Sequence, residues 1–336
     1  MKETTAESTI QLKPNHSYGI DLLKFLALLL IFNSHIDIAY GSYRALATGG
    51  AIGDVLFFFC SGFTLFLRPK NSISEFPNWY KKRISRIFPS VFAVAIIRCL
   101  FFDTHDDIIT VIISWNDWFI PCIMMYYVII YIIGVYARQY ITHIIIGISV
   151  IGAVYFAIES QNIPYNMYGN TYLKWILFFN FMLMGAKMGI CFPKKTESLT
   201  KLLIQAFAAL VLYYVFYFIG QRSTSDLRYI QFISYIPLFI LVQRLFMIGE
   251  HPKAQAVFMR KRVFPFIAFI GGLCLEVYLV QYYLITDRLN HLFPLNILLI
   301  FAAVVITAYF ARCLARIIRQ TFQTEPYNWR EVVKMY

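Results

Sequence analysis

Apolar residues along the chain fall in ten long runs separated by short polar stretches. The runs cover roughly 20–38, 50–67, 86–102, 119–137, 140–158, 172–192, 199–219, 229–247, 264–285 and 293–318. Inside each run the apolar positions are continuous and do not alternate, which argues against the strands of a membrane β-barrel. Each run has about the 17–25 residues needed to cross a hydrocarbon layer about 30 Å thick. A backbone in lipid must satisfy its own N–H and C=O groups, so the pattern predicts ten helices. The expected architecture is an all-α polytopic membrane protein with both termini cytoplasmic. Residues 1–18 form an N-terminal tail, 19–318 a single membrane domain and 319–336 a C-terminal tail.

Composition sharpens this. Of the 336 residues, 59% are hydrophobic and only 14% charged, and mean hydropathy is +0.61. A soluble domain carries about 25% charged residues. That shortage argues against a soluble enzyme, a disordered chain and a nucleic-acid-binding domain, so no nucleic-acid partner is expected. The net charge of +12 is instead a topology signal. Twenty-three of the 30 Lys and Arg fall at the termini and in or beside the even-numbered junctions, and five in or beside the odd-numbered ones. The remaining two, Lys24 and Arg98, lie within spans. This bias predicts a multi-pass protein of the cytoplasmic (inner) membrane, with the acidic loop of Asp103, Asp106, Asp107 and Asp117 facing outward. Met1–Tyr18 has no apolar core of a signal peptide, so the first span is expected to insert by itself. Cys60, Cys99, Cys122, Cys191, Cys274 and Cys313 are scattered in apolar runs without CxxC pairing. They read as buried inert thiols, with no metal site or disulfide framework.

An ionisable group in hydrocarbon costs about 2.5–3.5 kcal/mol on insertion scales, so each one within a span invites a functional explanation. The first span holds Lys24 and His35. At about 100° per residue the two share a helix face, roughly 16 Å apart along the axis. Asp21 lies one turn before Lys24 and is placed to pair with it. A snorkelling lysine and a hydrogen-bonded interhelical histidine explain the same residues equally well. Glu276 falls near the middle of the ninth run, with Gln281 further out; Asp54 and Arg98 reach depths similar to that of His35. The outer half of the bundle is thus expected to collect His35, Asp54, Arg98, Glu276 and Gln281. The junction Trp79–Pro89 contains Lys81, Lys82, Arg83 and Arg86. It reads either as a stop-transfer cluster or as an anion site for a phosphorylated cosubstrate. Pro89 is expected near the start of the third helix, and Trp115 and Trp118 at the outer boundary as an aromatic belt.

Five segments together resemble the membrane-bound acyltransferase-3 family. Gly19–Ala27 followed by His35 is similar to its basic-x10-His signature, and Gly50–Phe63 to its second-helix glycine/aromatic motif. Lys82–Pro89 resembles the basic cluster after that helix, Trp118-Phe119-Ile120 the opening of the fourth helix, and Leu275–Gln281 the late "YLxH" helix. Two positions depart from the pattern: Lys24 stands where arginine is common, and Gln281 where histidine is common. The resemblance implies transfer of an acyl group, usually acetyl, from cytoplasmic acyl-CoA to a hydroxyl on a glycan or lipid-linked saccharide. A sugar hydroxyl needs a base near neutral pKa, a role that falls to His35, oriented by Asp54 or Glu276. Lys24, Lys82, Arg83 and Arg86 would hold the acetyl-CoA, with Lys24 alternatively stabilising the thioester oxyanion as a catalytic residue, and Arg98, Trp118, Tyr278 and Gln281 would hold the acceptor. No metal is expected, and a homo-oligomer is compatible with this picture. A glycan transporter, a longer acyl donor and a membrane scaffold without chemistry remain alternatives.

Overall fold

The computed structural model describes residues 17–67, 72–102, 108–113, 118–161, 165–169, 171–191, 197–223, 225–261 and 263–335. The helices are α1 (Tyr18–His35), α2 (Gly50–Phe66), α3 (Phe76–Phe101), α4 (Ile108–Ile113), α5 (Phe119–Tyr136), α6 (Ile141–Glu159) and α7 (Tyr172–Ile190). They continue with α8 (Leu199–Arg222), α9 (Ile230–Ile233), α10 (Tyr235–Gly249), α11 (Pro252–Phe258), α12 (Val263–Gly272), α13 (Cys274–Leu284), α14 (Leu295–Thr321) and α15 (Trp329–Val332). Among the described residues, eight helical stretches are long and apolar enough to cross a membrane, and up to ten if each of two interrupted pairs is one span. The protein is therefore an all-α, multi-pass membrane protein.

Two expectations about elements change. The third span begins at Phe76, ten residues before the apolar run, with Pro77 in its first turn. The basic cluster is thus the charged opening of a helix and not a loop. Pro77 takes the place where a missing N–H is harmless, while Pro89 sits in the helix interior. The ninth span is interrupted at Leu273, directly after Gly271-Gly272, a glycine pair of the kind that breaks helices. Glu276 consequently stands in the first turn of a half-helix and not mid-span. The acidic loop residues Asp103, Asp106, Asp107 and Asp117, and Trp115, lie outside the described residues. Of the six cysteines, Cys60, Cys122 and Cys274 are buried, whereas Cys99 and Cys191 are exposed on the protein surface. An apolar run in a membrane protein can face lipid as well as core, so hydrophobicity did not distinguish them.

The chain divides into two compact units. The first comprises 1–25, 55–67 and 139–271. Here α2 packs against α7 with so little space that a Cβ on Gly62 or Gly185 would strike the backbone of Met182 or Phe59. Small residues permit this approach, and dispersion holds it where lipid gives no hydrophobic drive. The fully buried Asn180 on α7 donates to Ile145 O (3.2 Å), Ser149 Oγ (3.0 Å) and Tyr235 Oη (2.9 Å), joining α6, α7 and α10. Glu250 accepts from Ser17 Oγ (2.5 Å) and Gly19 N (2.9 Å), placing an anion at the positive end of α1. Outside the spans, Glu197 meets Lys201 (2.9 Å) and Arg244 (3.2 Å). The Lys201 hydrogen bond and both charges hold its carboxyl below the usual carboxylate range.

The second unit comprises 26–54, 68–138 and 272–336. In it α3, α13 and α14 pack on one another, and α5 lies against α3. Gly53 lets α2 close on α1 at Ala27 and Ile31, and Gly50 faces Ser34. Asn33 donates to the carbonyls of Leu46 (2.8 Å) and Thr48 (2.9 Å), and Asn296 to that of Ala39 (2.7 Å). These bonds pin the connection between α1 and α2, and with it the end of α1 that carries His35.

Candidate active site

The second unit gathers most of the candidate residues along α13, at its two ends. At the broken end, the buried Glu276 accepts from Ser90 Oγ of α3 (2.8 Å) and from Arg312 Nη2 of α14 (2.8 Å). Arg312 also donates to the carbonyl of Gly272, the last residue before the break. A helix end leaves carbonyls without intrahelical partners, and this guanidinium covers one of them. The interrupted helix thus acquires a buried ion pair whose side chains are only 7% (Glu276) and 14% (Arg312) exposed.

At the other end, the His35 ring stands edge-on to Tyr282, with centroids 4.7 Å apart and planes at 61°. Tyr282 Oη lies 3.1 Å from Nδ1 and 3.0 Å from Nε2. Facing both nitrogens equally, the phenol can bond either one in either tautomer. The next residue, Tyr283, receives the Arg98 guanidinium over its ring at 4.5 Å. Tyr278, one turn before Tyr282, packs on Phe119 with centroids 5.3 Å apart; Trp118 precedes Phe119 at the start of α5, half-buried. Gln281 is fully buried, and neither its Oε1 nor its Nε2 has a hydrogen-bond partner among the described residues. Asp54, also buried, lies one residue after the Gly53 contact with Ala27 and Ile31, about one turn along α1 from His35.

The structure therefore brings His35, Arg98, Tyr278 and Gln281 to the last two turns of α13 and keeps Glu276 away from them. Six residues separate Glu276 from Tyr282, about 9 Å along a helix. Lys24 belongs to the first unit, on the part of α1 before Phe25. There both it and Asp21 act electrostatically on the buried Cys60 of α2. In the basic cluster Lys82 and Arg86 are exposed, and the half-buried Arg83 lies over the Trp79 ring at 5.2 Å.

Residues 17–313 match the profile of an acyltransferase domain, acyltransferase family 3. The chain belongs to that family. No curated protein and no solved structure matches it.

As an acyltransferase of this family, the chain places its recognisable segments on α1, α2, the opening of α3, the start of α5 and α13. Two residues that sequence reasoning passed over now stand out. Tyr282 is adjacent to the motif position Gln281, but a tyrosine among 24 tyrosines carries no signal of its own. Arg312 was counted with the basic C-terminal cluster, because charge counting assigns sides and not partners.

Proposed function

We propose that this acyltransferase moves an acyl group, acetyl in the simplest case, from acyl-CoA to a hydroxyl of a cell-surface glycan or glycolipid precursor. The observation that supports this most is the His35–Tyr282 contact beside Arg98 in a chain of acyltransferase family 3. His35 is the base. It takes the proton of the acceptor O–H as that oxygen attacks the thioester carbonyl. The C–S bond then breaks, and the imidazolium returns the proton to the departing CoA thiolate. Asp54 orients the imidazole, since both oxygens of Glu276 are engaged by Ser90 and Arg312. Tyr282 fixes the ring while leaving its tautomer free. Arg98 and the unpartnered amide of Gln281 meet the acceptor, along with Tyr278 and Trp118. Lys82, Arg83 and Arg86, on the side expected to be cytoplasmic, suit the phosphates of CoA.

Purified protein incubated with labelled acetyl-CoA and lipid-linked saccharide should release CoA and label the saccharide. The His35→Ala protein should insert normally and do neither. Full transfer by that variant would remove His35 from the chemistry. An intact thioester in the presence of wild-type protein would reject acetyl-CoA as the donor.

A further inference from the structure

In the second unit a groove of about 550 Å³ runs between the opening of α3 and the end of α14. Its α3 wall is a single helical stripe, Lys81, Ile84, Ser85, Phe88, Pro89 and Phe92. Lys82, Arg83 and Arg86 do not line it, so α3 separates its cations between two faces. The opposite wall is Ile318 and Arg319, then Phe322–Glu325. The lining combines apolar side chains with the charged Lys81, Arg319 and Glu325, which fits an amphiphile.

Three observations favour a membrane lipid as that amphiphile. First, the arginines at the end of α14 divide. Arg312 is held by Glu276 and Gly272, and Arg316 donates to the carbonyls of Val332 and Lys334. Arg319, by contrast, has no hydrogen bond or ion pair among the described residues, and neither has Lys81. Second, α14 has 27 residues. At about 1.5 Å per residue it spans about 40 Å, longer than the roughly 30 Å hydrocarbon layer, which is long enough for its end to reach head-group depth. Third, Phe322, Tyr327 and Trp329 beside this end are 86%, 45% and 62% exposed. Exposed aromatic rings collect at the membrane–water boundary.

We propose that the groove is a binding site for an anionic phospholipid. The phosphate lies between Lys81 and Arg319, and an acyl chain follows Phe88, Phe92 and Ile318. Basic pockets between helices at this depth recognise lipid head groups. The site is separate from acyl transfer and stands whether or not His35 is the base.

The test is native mass spectrometry of the full chain in detergent, titrated with phosphatidylglycerol or phosphatidylcholine. Wild type should retain phosphatidylglycerol preferentially. Lys81→Gln with Arg319→Gln should weaken its retention roughly ten- to thirtyfold, the scale of two interfacial cations. The Lys81→Arg, Arg319→Lys exchange should leave it intact, as should Arg288→Gln, which lies before the opposite end of α14. Ser85→Trp fills the groove without removing a charge and should also abolish retention, which covers a failure of the glutamine pair to fold. Equal retention of the two lipids, or unchanged retention in both the glutamine pair and Ser85→Trp, overturns the proposal. So does displacement of phosphatidylglycerol by coenzyme A, which would make the groove part of the donor site.

Discussion

The two ends of α13 hold comparable polar groups under opposite conditions. At the break, a carboxylate is buried and fully engaged by a guanidinium and a hydroxyl from two other helices. At the far end, an imidazole meets a phenol that lies near both of its nitrogens, and that phenol is 48% exposed. In the first arrangement each carboxylate oxygen is held by a group from another helix. Moving a proton or a substrate there would strip partners from a buried charge. The second can exchange partners cheaply, as a general base requires. Burial of an ionisable group in a membrane helix is therefore not enough to mark chemistry; what matters is whether its partners are replaceable.

The comparison can be broken at either end. The largest effect is expected from His35→Ala, which should lower kcat by about 10²–10⁴-fold, the usual contribution of a positioned base, with unchanged thermal stability. Equal activity of wild type and variant would leave the far end without a catalytic role. Next is Glu276→Ala, which strands the buried Arg312. A cost of about 3–5 kcal/mol is expected for breaking such a pair. Glu276→Leu combined with Arg312→Met should recover most of it, measured by unfolding in detergent. If the double variant is as unstable as the single one, the pair is not the source of the loss. Tyr282→Phe keeps the ring contact and removes the hydroxyl. Loss of one hydrogen bond of about 0.5–1.5 kcal/mol should reduce kcat by about two- to tenfold with the KM for acyl-CoA unaltered. A changed donor KM and a constant kcat would instead assign Tyr282 to donor binding.

The smallest effect on turnover is expected from Gln281→Leu. Its amide lacks a partner among the described residues, so replacing it should be neutral or slightly stabilising, within about 1–3 kcal/mol. If the amide meets the acceptor, KM for the acceptor should rise in the same protein. Stability and acceptor affinity both unchanged would remove Gln281 from the site.

Much of the fold was legible along the chain. Nine of the ten apolar runs begin within a few residues of an observed helix or interrupted pair, because hydropathy is a local property that lipid reads directly. The third run failed at its start for a physical reason. A helix that opens at the membrane surface needs no apolar residues there, so Phe76–Arg86 looked like a loop. The polar residues that the spans carry were legible in kind. His35, Arg98 and Gln281 were named from depth and residue type, and the structure sets them beside the last turns of one helix.

What the sequence determined by itself is the membrane character, the succession of apolar helices and the short set of polar residues that hydrocarbon must tolerate. Only tertiary structure decided how that set is divided. Gly271-Gly272 interrupts a span, Arg312 crosses from a distant helix to fill the break, and Glu276 is committed there and not to His35. Partner choice depends on which helices pack together, and an ion pair between residues 36 positions apart leaves no periodicity in the chain to read.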